Sequence, residues 1–392
     1  MSDRVFSRRS QFDFQANRLS IAFAVRAQSG QALVDLTVSS PQKWGLGPDP
    51  QAISEVLGRC GGAPYQAEAF GMLSAREAVA EDFCGRGQKT DPAHVWLTAS
   101  TSEAYAQLFR LLCDSGDEVL VPQPSYPLLA YLGAFDGVKL VPYQLVYDGV
   151  WSVDMDSVRA ALSDRTRAIV AVTPNNPTGS FLRREDLEAL SQLDLPVISD
   201  EVFADYAWPG DFPDLISVHT AEPGPNLRFA LGGLSKASAM PGMKLGFIRV
   251  SGPDALVQSA QDRMELILDT YLSVAAPIQH AARALLELGG TARCRILKRC
   301  HANYQALGVR VKGTALSRLS SEGGWNAVLR LPAVLDDEQW ALALLERGVW
   351  LQPGYFYDFA AGAFVVVSLL TEPKILMSAM DSVLMEVTHR CP

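Results

Sequence analysis

Residues 167–179 read RAIVAVTPNNPTG, a nearly continuous apolar run that passes directly into a turn rich in proline and asparagine. An apolar run this short suits a strand that is buried on both faces of a mostly parallel sheet. Similar runs occur on both sides of it, at residues 94–98, 118–122, 196–199, 228–231 and 245–250. Because strand-like runs here alternate with helical patterns, we predict an α/β fold in three layers around a mostly parallel sheet.

The pattern changes after about residue 275. Long helices are indicated at residues 277–288, 295–307, 338–347 and 373–387. Strands are indicated between them, at residues 325–330 and 364–368. We therefore predict a large domain over residues 46–275, and a smaller α+β domain formed by residues 1–45 and 276–392.

Composition excludes several classes of function. The chain has 392 residues and a net charge of −9, without a dense basic stretch, which argues against a nucleic-acid partner. No apolar run is long enough to cross a bilayer, and no apolar segment follows the arginine-containing start, so we expect neither a membrane partner nor a secretory signal. The six cysteines are scattered without a CxxC pair, which predicts no metal site and no disulfide framework. We expect a cytoplasmic protein.

Polar residues follow the predicted strands. Residues 98–103 read TASTSE and lead into a helix predicted over residues 102–112. Free N–H groups at a helix N-terminus suit a phosphate, although an ordinary N-cap by Thr101 or Ser102 explains the same residues.

Two further strand ends carry side chains with hydrogen-bonding or acidic groups. The turn after the 167–173 run exposes Asn176, or is only a structural asparagine-proline turn. Asp200 ends the run LPVIS at residues 195–199. Open α/β sheets bind ligands at the carboxyl ends of their strands, although Asp200 is also compatible with a helix N-cap or a surface acid.

Lys236 closes the apolar, glycine-rich run LGGLSK at residues 231–236. In such a setting a lysine is desolvated, and its neutral amine becomes available for Schiff-base chemistry. A solvated surface lysine is the alternative.

Taken in this order, and together with Tyr126 in the PSYP turn at residues 124–127, these motifs resemble the class I/II aminotransferases, which are fold-type I pyridoxal-phosphate enzymes. The resemblance runs from about residue 35 to the C-terminus. It implies a pyridoxal 5′-phosphate cofactor and a homodimer with shared active sites.

The resemblance also implies a role for each motif. Lys236 would carry the cofactor as a Schiff base and shuttle the proton, and Asp200 would pair with the pyridine nitrogen. Asn176 would donate to the 3′-oxygen of the ring, and Tyr126 would stack on the ring face. The phosphate contacts implied are Thr101, Ser102, Ser235, Lys244 and, from the partner subunit, Tyr65.

The activity implied is transfer of an amino group from an amino acid or amine to a keto or aldehyde acceptor, in a ping-pong reaction through pyridoxamine phosphate. Two alternatives remain. One is another fold-type I reaction on an amino acid-like substrate, namely elimination, decarboxylation, cyclisation or oxidation. The other is a non-catalytic regulator, which Lys236 and the lack of length for an additional N-terminal domain disfavour.

The chain departs from the family pattern at four positions. Phe203 replaces a tyrosine that bonds the 3′-oxygen, and Gly233 replaces a serine. Lys244 replaces an arginine, which keeps the charge but loses the bidentate fork. Val366 stands where the family has the arginine that binds the substrate α-carboxylate.

The loss of that arginine leaves two possibilities. Another cation takes its place, for which Lys43 and Arg26 are the candidates, or the substrate lacks the carboxylate. Neutral hydrogen-bonding groups are available in the run LQPGYFY at residues 351–357, which contains Gln352, Tyr355 and Tyr357.

Overall fold

The computed structural model describes residues 5–62, 64–210, 217–218 and 224–391. In these residues the strands, in chain order, are β1 (Val34–Asp35), β2 (Val95–Thr98), β3 (Glu118–Gln123), β4 (Lys139–Tyr147), β5 (Trp151–Val153), β6 (Thr166–Val172), β7 (Val197–Asp200), β8 (Arg228–Gly233), β9 (Gly246–Ser251), β10 (Ser317–Arg318), β11 (Asn326–Leu331), β12 (Val349–Trp350), β13 (Gln352–Pro353) and β14 (Ala363–Ser368).

The helices of the same residues are α1 (Arg18–Gln28), α2 (Pro50–Cys60), α3 (Leu73–Gly85), α4 (Thr101–Leu112), α5 (Leu128–Asp136), α6 (Met155–Ala161), α7 (Arg184–Ser191), α8 (Leu234–Ala237), α9 (Asp254–Tyr271), α10 (Ala276–Val311), α11 (Asp337–Glu346) and α12 (Pro373–Arg390). None of the helices in the described part of the chain is both long and apolar enough to cross a membrane.

A large sheet has the strand order β2-β9-β8-β7-β6-β3-β4-β5. Strands β8, β7, β6, β3 and β4 run parallel, whereas β9 is antiparallel to both of its neighbours and β5 is antiparallel to β4. Every residue of β8 is buried, as expected for a strand covered on both faces.

Helices cover both faces of this sheet. Residues of α4, α5 and α9 share a hydrophobic cluster with one face, and residues of α3 and α10 pack on the other face. Helices α6 and α7 extend that second layer towards β4. The predicted three-layer α/β fold with a mostly parallel sheet is therefore confirmed.

A second, antiparallel sheet has the order β10-β11-β14-β13, and β1 pairs with β12 in a separate two-stranded sheet. Helices α10, α11 and α12 contribute to the core around these strands. That core also contains Phe203 and Tyr206 from the segment after β7, which pack edge-on against Trp325 just before β11. The two sheets thus meet at the carboxyl end of β7. The division at residues 45/46 and 275/276 remains a proposal, which the separate sheets support.

Helix α10 differs from the prediction, because Ala276–Val311 is one helix of 36 residues rather than two helices. The Gly289-Gly290 pair, which lies in the gap between the two predicted helices, is helical. A Cβ on Gly289 would lie only 2.6 Å from Cα of Ser238, so the glycine allows α10 to pack directly against the segment after Lys236. Tertiary packing overrides the poor helix propensity of the pair here.

Candidate active site

The strand-end residues meet at the carboxyl edge of the large sheet. Val172, at the end of β6, is the register partner of Asp200 at the end of β7. Lys236 lies in the short helix that follows β8. These residues line one cavity of about 370 Å³, a size typical of small-molecule sites. The residues predicted for the site that line it are Thr101, Ser102, Tyr126, Asn176, Asp200, Ser235, Lys236 and Lys244.

The Lys236 amine faces aromatic walls. Its Nζ lies 5.0 Å from the ring centre of Trp325 and 5.5 Å from that of Phe203. Burial lowers the pKa of Lys236, and the charge of Asp200 partly opposes that shift. Within the described residues, Nζ has no hydrogen-bond or ion-pair partner. The arrangement favours a neutral, nucleophilic amine.

A residue of the segment after β7 forms a hydrogen bond with the backbone of Lys236. The hydroxyl of Tyr206 donates to the carbonyl oxygen of Lys236 at 2.6 Å. Tyr206 is buried, so the contact fixes the position from which the side chain enters the cavity. Sequence reasoning did not identify Tyr206 or Trp325, because neither lies near Lys236 in the chain.

Asp200 is a partly buried carboxylate that accepts hydrogen bonds from two donors. The Tyr105 hydroxyl donates to Oδ2 at 3.1 Å, and the backbone N–H of Val202 donates to Oδ1 at 3.2 Å. Burial raises the pKa of Asp200 to about 6, against the opposing effects of these two donors and of Lys236. A carboxylate placed in this way suits a protonated nitrogen on a ligand.

Tyr105 was missed by the motif analysis, although the sequence carried a signal. It lies four residues after Thr101, and therefore on the same face of the predicted helix α4 as the polar turn.

Asn176 is oriented by a residue of the small sheet. Nδ2 of Asn326 donates to Oδ1 of Asn176 at 2.8 Å. This contact leaves the Nδ2 group of Asn176 free to donate into the cavity. Asn326 was also missed, because it is 150 positions away in the chain and no local spacing relates the two residues.

The N-terminus of α4 forms another wall. Its N-cap is Ser100, whose Oγ accepts from the backbone N–H of Glu103 at 3.1 Å, so the expectation of a cap at Thr101 or Ser102 was wrong. Because Ser100 takes that duty, the hydroxyls of Thr101 and Ser102 are not used for capping. Both residues line the cavity in the first turn of the helix, where N–H groups attract an anion.

A cation and a close backbone contact complete this anion-binding end. Lys244 adopts a left-handed conformation with φ 51°, which costs energy for a residue with a Cβ and which the surrounding structure must hold. Two residues later, a Cβ on Gly246 would lie 2.8 Å from the carbonyl carbon of Ser100. The start of β9 therefore lies directly against the start of α4, with Lys244 beside it.

Tyr65 is not part of this cavity. It is 67% exposed and lies in a separate surface groove with Leu272 and Ser273. The hydroxyl of Ser273 donates to Glu103 in the first turn of α4 at 2.8 Å, so the groove adjoins the anion-binding end of the cavity from outside.

The two candidate replacements for the missing arginine lie elsewhere. Lys43 is exposed and lies 3.8 Å from the carboxylate of Asp35. The guanidinium of Arg26 donates to the carbonyl oxygens of Ala32 and Glu346. Neither residue lines the cavity.

The neutral candidates divide into two groups. Gln352 and Tyr357 line the cavity, whereas Tyr355 does not. Val366 is only 1% exposed and lies in an apolar cluster with Tyr357, outside the cavity lining.

Comparison with known proteins identifies the family. The family model for aminotransferase class I and II matches residues 62–375, and the chain belongs to this family. A glutamate-pyruvate aminotransferase of Haemophilus influenzae is 27% identical over 265 residues, which cover 66% of this chain and 65% of that protein. The chain thus spans slightly less than two thirds of that relative's length. The family predicted from the motifs is confirmed.

Two further comparisons cover nearly the whole chain. An aspartate/prephenate aminotransferase of Thermus thermophilus is 28% identical over 390 residues, covering 94% of this chain and 96% of that protein. The structure of an alanine aminotransferase from Pyrococcus furiosus superposes with a TM-score of 0.87 at 24% identity, covering 98% of this chain and all of the other. The structural likeness shows that the fold is shared.

Members of this family use pyridoxal 5′-phosphate, and the residues of the cavity fit that group. The hydroxyls, the helix N-terminus and Lys244 at one end match a phosphate. Gly246 lets the start of β9 approach this helix end, because a Cβ there would lie 2.8 Å from the carbonyl carbon of Ser100. Asp200, which lines the same cavity, matches a protonated ring nitrogen, and Lys236 provides an amine in that cavity.

Proposed function

We propose that this protein is a pyridoxal-phosphate-dependent aminotransferase that moves an amino group from an amino acid or amine to a keto or aldehyde acceptor. The observation that carries the proposal is the convergence of Lys236 and Asp200, from the ends of neighbouring parallel strands, on one cavity with an anion-binding end. The aminotransferase names of the relatives agree with it.

The cofactor supplies a ring that withdraws electrons from the Cα–H bond of a bound amine. Lys236 holds the cofactor covalently and then moves the proton at the substrate Cα, for which the lowered pKa of its amine is favourable. Asp200 accepts the hydrogen bond of the ring nitrogen and keeps that nitrogen protonated. The hydrogen bonds from Tyr105 and Val202 fix the direction of the Asp200 carboxylate.

The remaining lining residues orient the cofactor. Nδ2 of Asn176 would donate to the 3′-oxygen of the cofactor, and Tyr126 would cover one face of its ring. Thr101, Ser102, Ser235 and Lys244 hold the phosphate. Phe203 lies beside Lys236 without a hydroxyl, so the 3′-oxygen receives no bond from this position.

Borohydride reduction of the loaded protein tests the role of Lys236. We expect the cofactor to become covalently linked to the peptide that contains Lys236, and Lys236→Ala to lose both this label and the amino-transfer half-reaction by about 10²–10⁴-fold or more. Lys298→Ala, which removes an exposed lysine of α10, is the matched control. The half-reaction is followed as pyridoxamine phosphate released from a panel of amino acids, amines and amino acid amides. Label on another lysine, or turnover in Lys236→Ala, would refute the assignment.

The proposal includes a homodimer in which Tyr65 reaches the phosphate of the partner subunit. The homodimer is supported by the surface around the groove that contains Tyr65, which we call the outer groove. Tyr65 shares that groove with Leu272 and Ser273, and large apolar side chains close to these positions in the chain, Leu266 and Tyr271, are also exposed. Exposed apolar side chains of this kind are typical of a surface that a partner covers.

A cytoplasmic location is proposed as well. All six cysteines are free thiols, which suits a reducing compartment.

A further inference from the structure

One wall of the cavity is polar but uncharged. It is formed by side chains from the N-terminal segment and the small sheet, namely Thr37, Ser39, Asn326, Gln352, Tyr357 and Ser368. Among the described residues that line the cavity, Lys236 and Lys244 are the cations. Both are already used, one as the reacting amine and the other at the phosphate end.

The place of the carboxylate-binding arginine is closed by apolar packing. Val366 in β14 pairs across the sheet with Val328 on one side and Gln352 on the other. It lies in a cluster with Leu319 and Tyr357, so Tyr357 and Gln352 are the side chains that reach the cavity from this region.

This wall offers a donor and an acceptor together. Oε1 of Gln352 accepts from the Tyr357 hydroxyl, which leaves the Nε2 group of Gln352 without a partner among the described residues. Nδ2 of Asn326 donates to Asn176, which leaves Oδ1 of Asn326 as an unused acceptor within the same part of the chain.

A carboxylate fits such a wall poorly. It has acceptors only, it would face the Asn326 oxygen, and its charge would be desolvated without a cation beside it. A carboxamide or a hydroxyl both donates and accepts, so it is compatible with the unpaired donor of Gln352 and with the unpaired acceptor of Asn326. An amino substrate whose hydrogen-bonding groups complement unpaired groups of the binding site is strongly preferred over an analogue that leaves those groups unpaired.

We propose that the amino substrate of this enzyme carries a neutral group that both donates and accepts hydrogen bonds, a carboxamide or a hydroxyl, where the α-carboxylate of an ordinary amino acid would lie. This inference rests on the proposed function, because the position of the substrate follows from the proposed role of Lys236. It identifies the class of substrate for the same cavity.

Binding without turnover tests the proposal first. 2-Methylalanine and 2-methylalaninamide have no α-hydrogen, so neither can lose a proton from Cα. Titration calorimetry on the loaded, full-length protein should give a dissociation constant at least about tenfold lower for the amide. Equal affinity, tighter binding of the carboxylate, or no binding of either compound would overturn the inference.

Reaction with matched donors provides the second arm. L-alanine, L-alaninamide and L-alaninol share one carbon skeleton and differ only in the group beside the amine. We expect the amide, the alcohol or both to react at least about tenfold more efficiently than alanine. A faster reaction with alanine would overturn the inference but leave the proposed function standing. Preferential binding of the amide without pyridoxamine phosphate from any donor would instead refute the proposed function.

Substitutions at Gln352 test whether the uncharged wall of the cavity causes the preference for the amide over the carboxylate. Gln352→Met keeps the length but removes the donor, and it should abolish most of the preference for the amide. Gln352→Arg adds a cation beside Val366 and should reverse the preference towards 2-methylalanine. Gln258→Arg adds the same charge on the exposed face of α9 and should leave the preference unchanged. An unaltered preference in both Gln352 variants would contradict the role given to this wall.

Discussion

Asp200 is a carboxyl group whose ionisation opposes folding of the cofactor-free protein. Burial raises its pKa to about 6 in the folded chain, whereas an unfolded aspartate has a pKa of about 3.9. The folded state therefore binds the proton more tightly. The stability that Asp200 contributes is fully present below about pH 4 and is lost as the pH rises through about 6.

We expect cofactor-free Asp200→Asn to be more stable than the wild-type protein at pH 8, by up to about 3 kcal/mol. At pH 5 the advantage should be about half as large, because the unfolded aspartate is already ionised there while most of the folded Asp200 is still protonated. Urea unfolding at the two pH values measures the difference. Gln258→Ala, which removes a side chain that does not titrate from the exposed face of α9, is the control and should show no such pH dependence. A difference between wild type and Asp200→Asn that does not change with pH would disprove the explanation.

Helix α10 connects the two sheets and touches the segment that carries the reactive lysine. Gly289 is the contact point, since its missing side chain lets the helix approach Ser238, two residues after Lys236. The adjacent Gly290 has no such constraint, because the nearest atom to a Cβ there belongs to the flexible side chain of Arg293 at 3.8 Å.

The adjacent glycines of this helix should therefore respond in opposite ways to the same substitution. Gly289→Ala should lower the free energy of unfolding by about 1–3 kcal/mol and slow the covalent attachment of the cofactor, because overpacking displaces α8. Gly290→Ala should be neutral or stabilise the protein by up to about 1 kcal/mol, because alanine favours a helix. Denaturant unfolding and the rate of cofactor loading measure both effects. Similar behaviour of the two variants would rule out Gly289 as a packing contact.

At the scale of the whole molecule, the outer groove predicts that each active site is completed by the second subunit. A dimer formed from a Lys236→Ala chain and a Tyr65→Ala chain has one site in which both the lysine and the tyrosine are present. Random exchange of subunits should therefore restore about a quarter of the wild-type sites, since half of the dimers are mixed and each mixed dimer has one intact site.

Activity at limiting cofactor, measured before and after subunit exchange, shows this recovery. Exchange of Lys236→Ala with a chain that carries both substitutions is the control and should restore nothing. Light scattering reports the oligomeric state. Mixed dimers without recovered activity would mean that Tyr65 does not act across the interface.

Local patterns in the chain were enough for the family, the layered fold and the strand-end residues of the cavity lining. Short apolar runs specify buried strands wherever they occur, and parallel strands bring their carboxyl ends to one edge. Asn176, Asp200 and Lys236 each follow such a run, so their meeting at this edge could be predicted from order alone. The roles assigned to these residues remain proposals.

The tertiary structure alone decided how those side chains are held and what faces them. Tyr105 donates to Asp200, Asn326 orients Asn176, and Gln352 lies in the cavity lining while Val366 does not. The continuity of α10 was decided in the same way, by a close contact at Gly289. Such contacts join residues far apart in the chain, and no periodicity or spacing records them. The sequence thus determined which groups are present at the site, and long-range packing determined their partners, from which we propose the class of substrate.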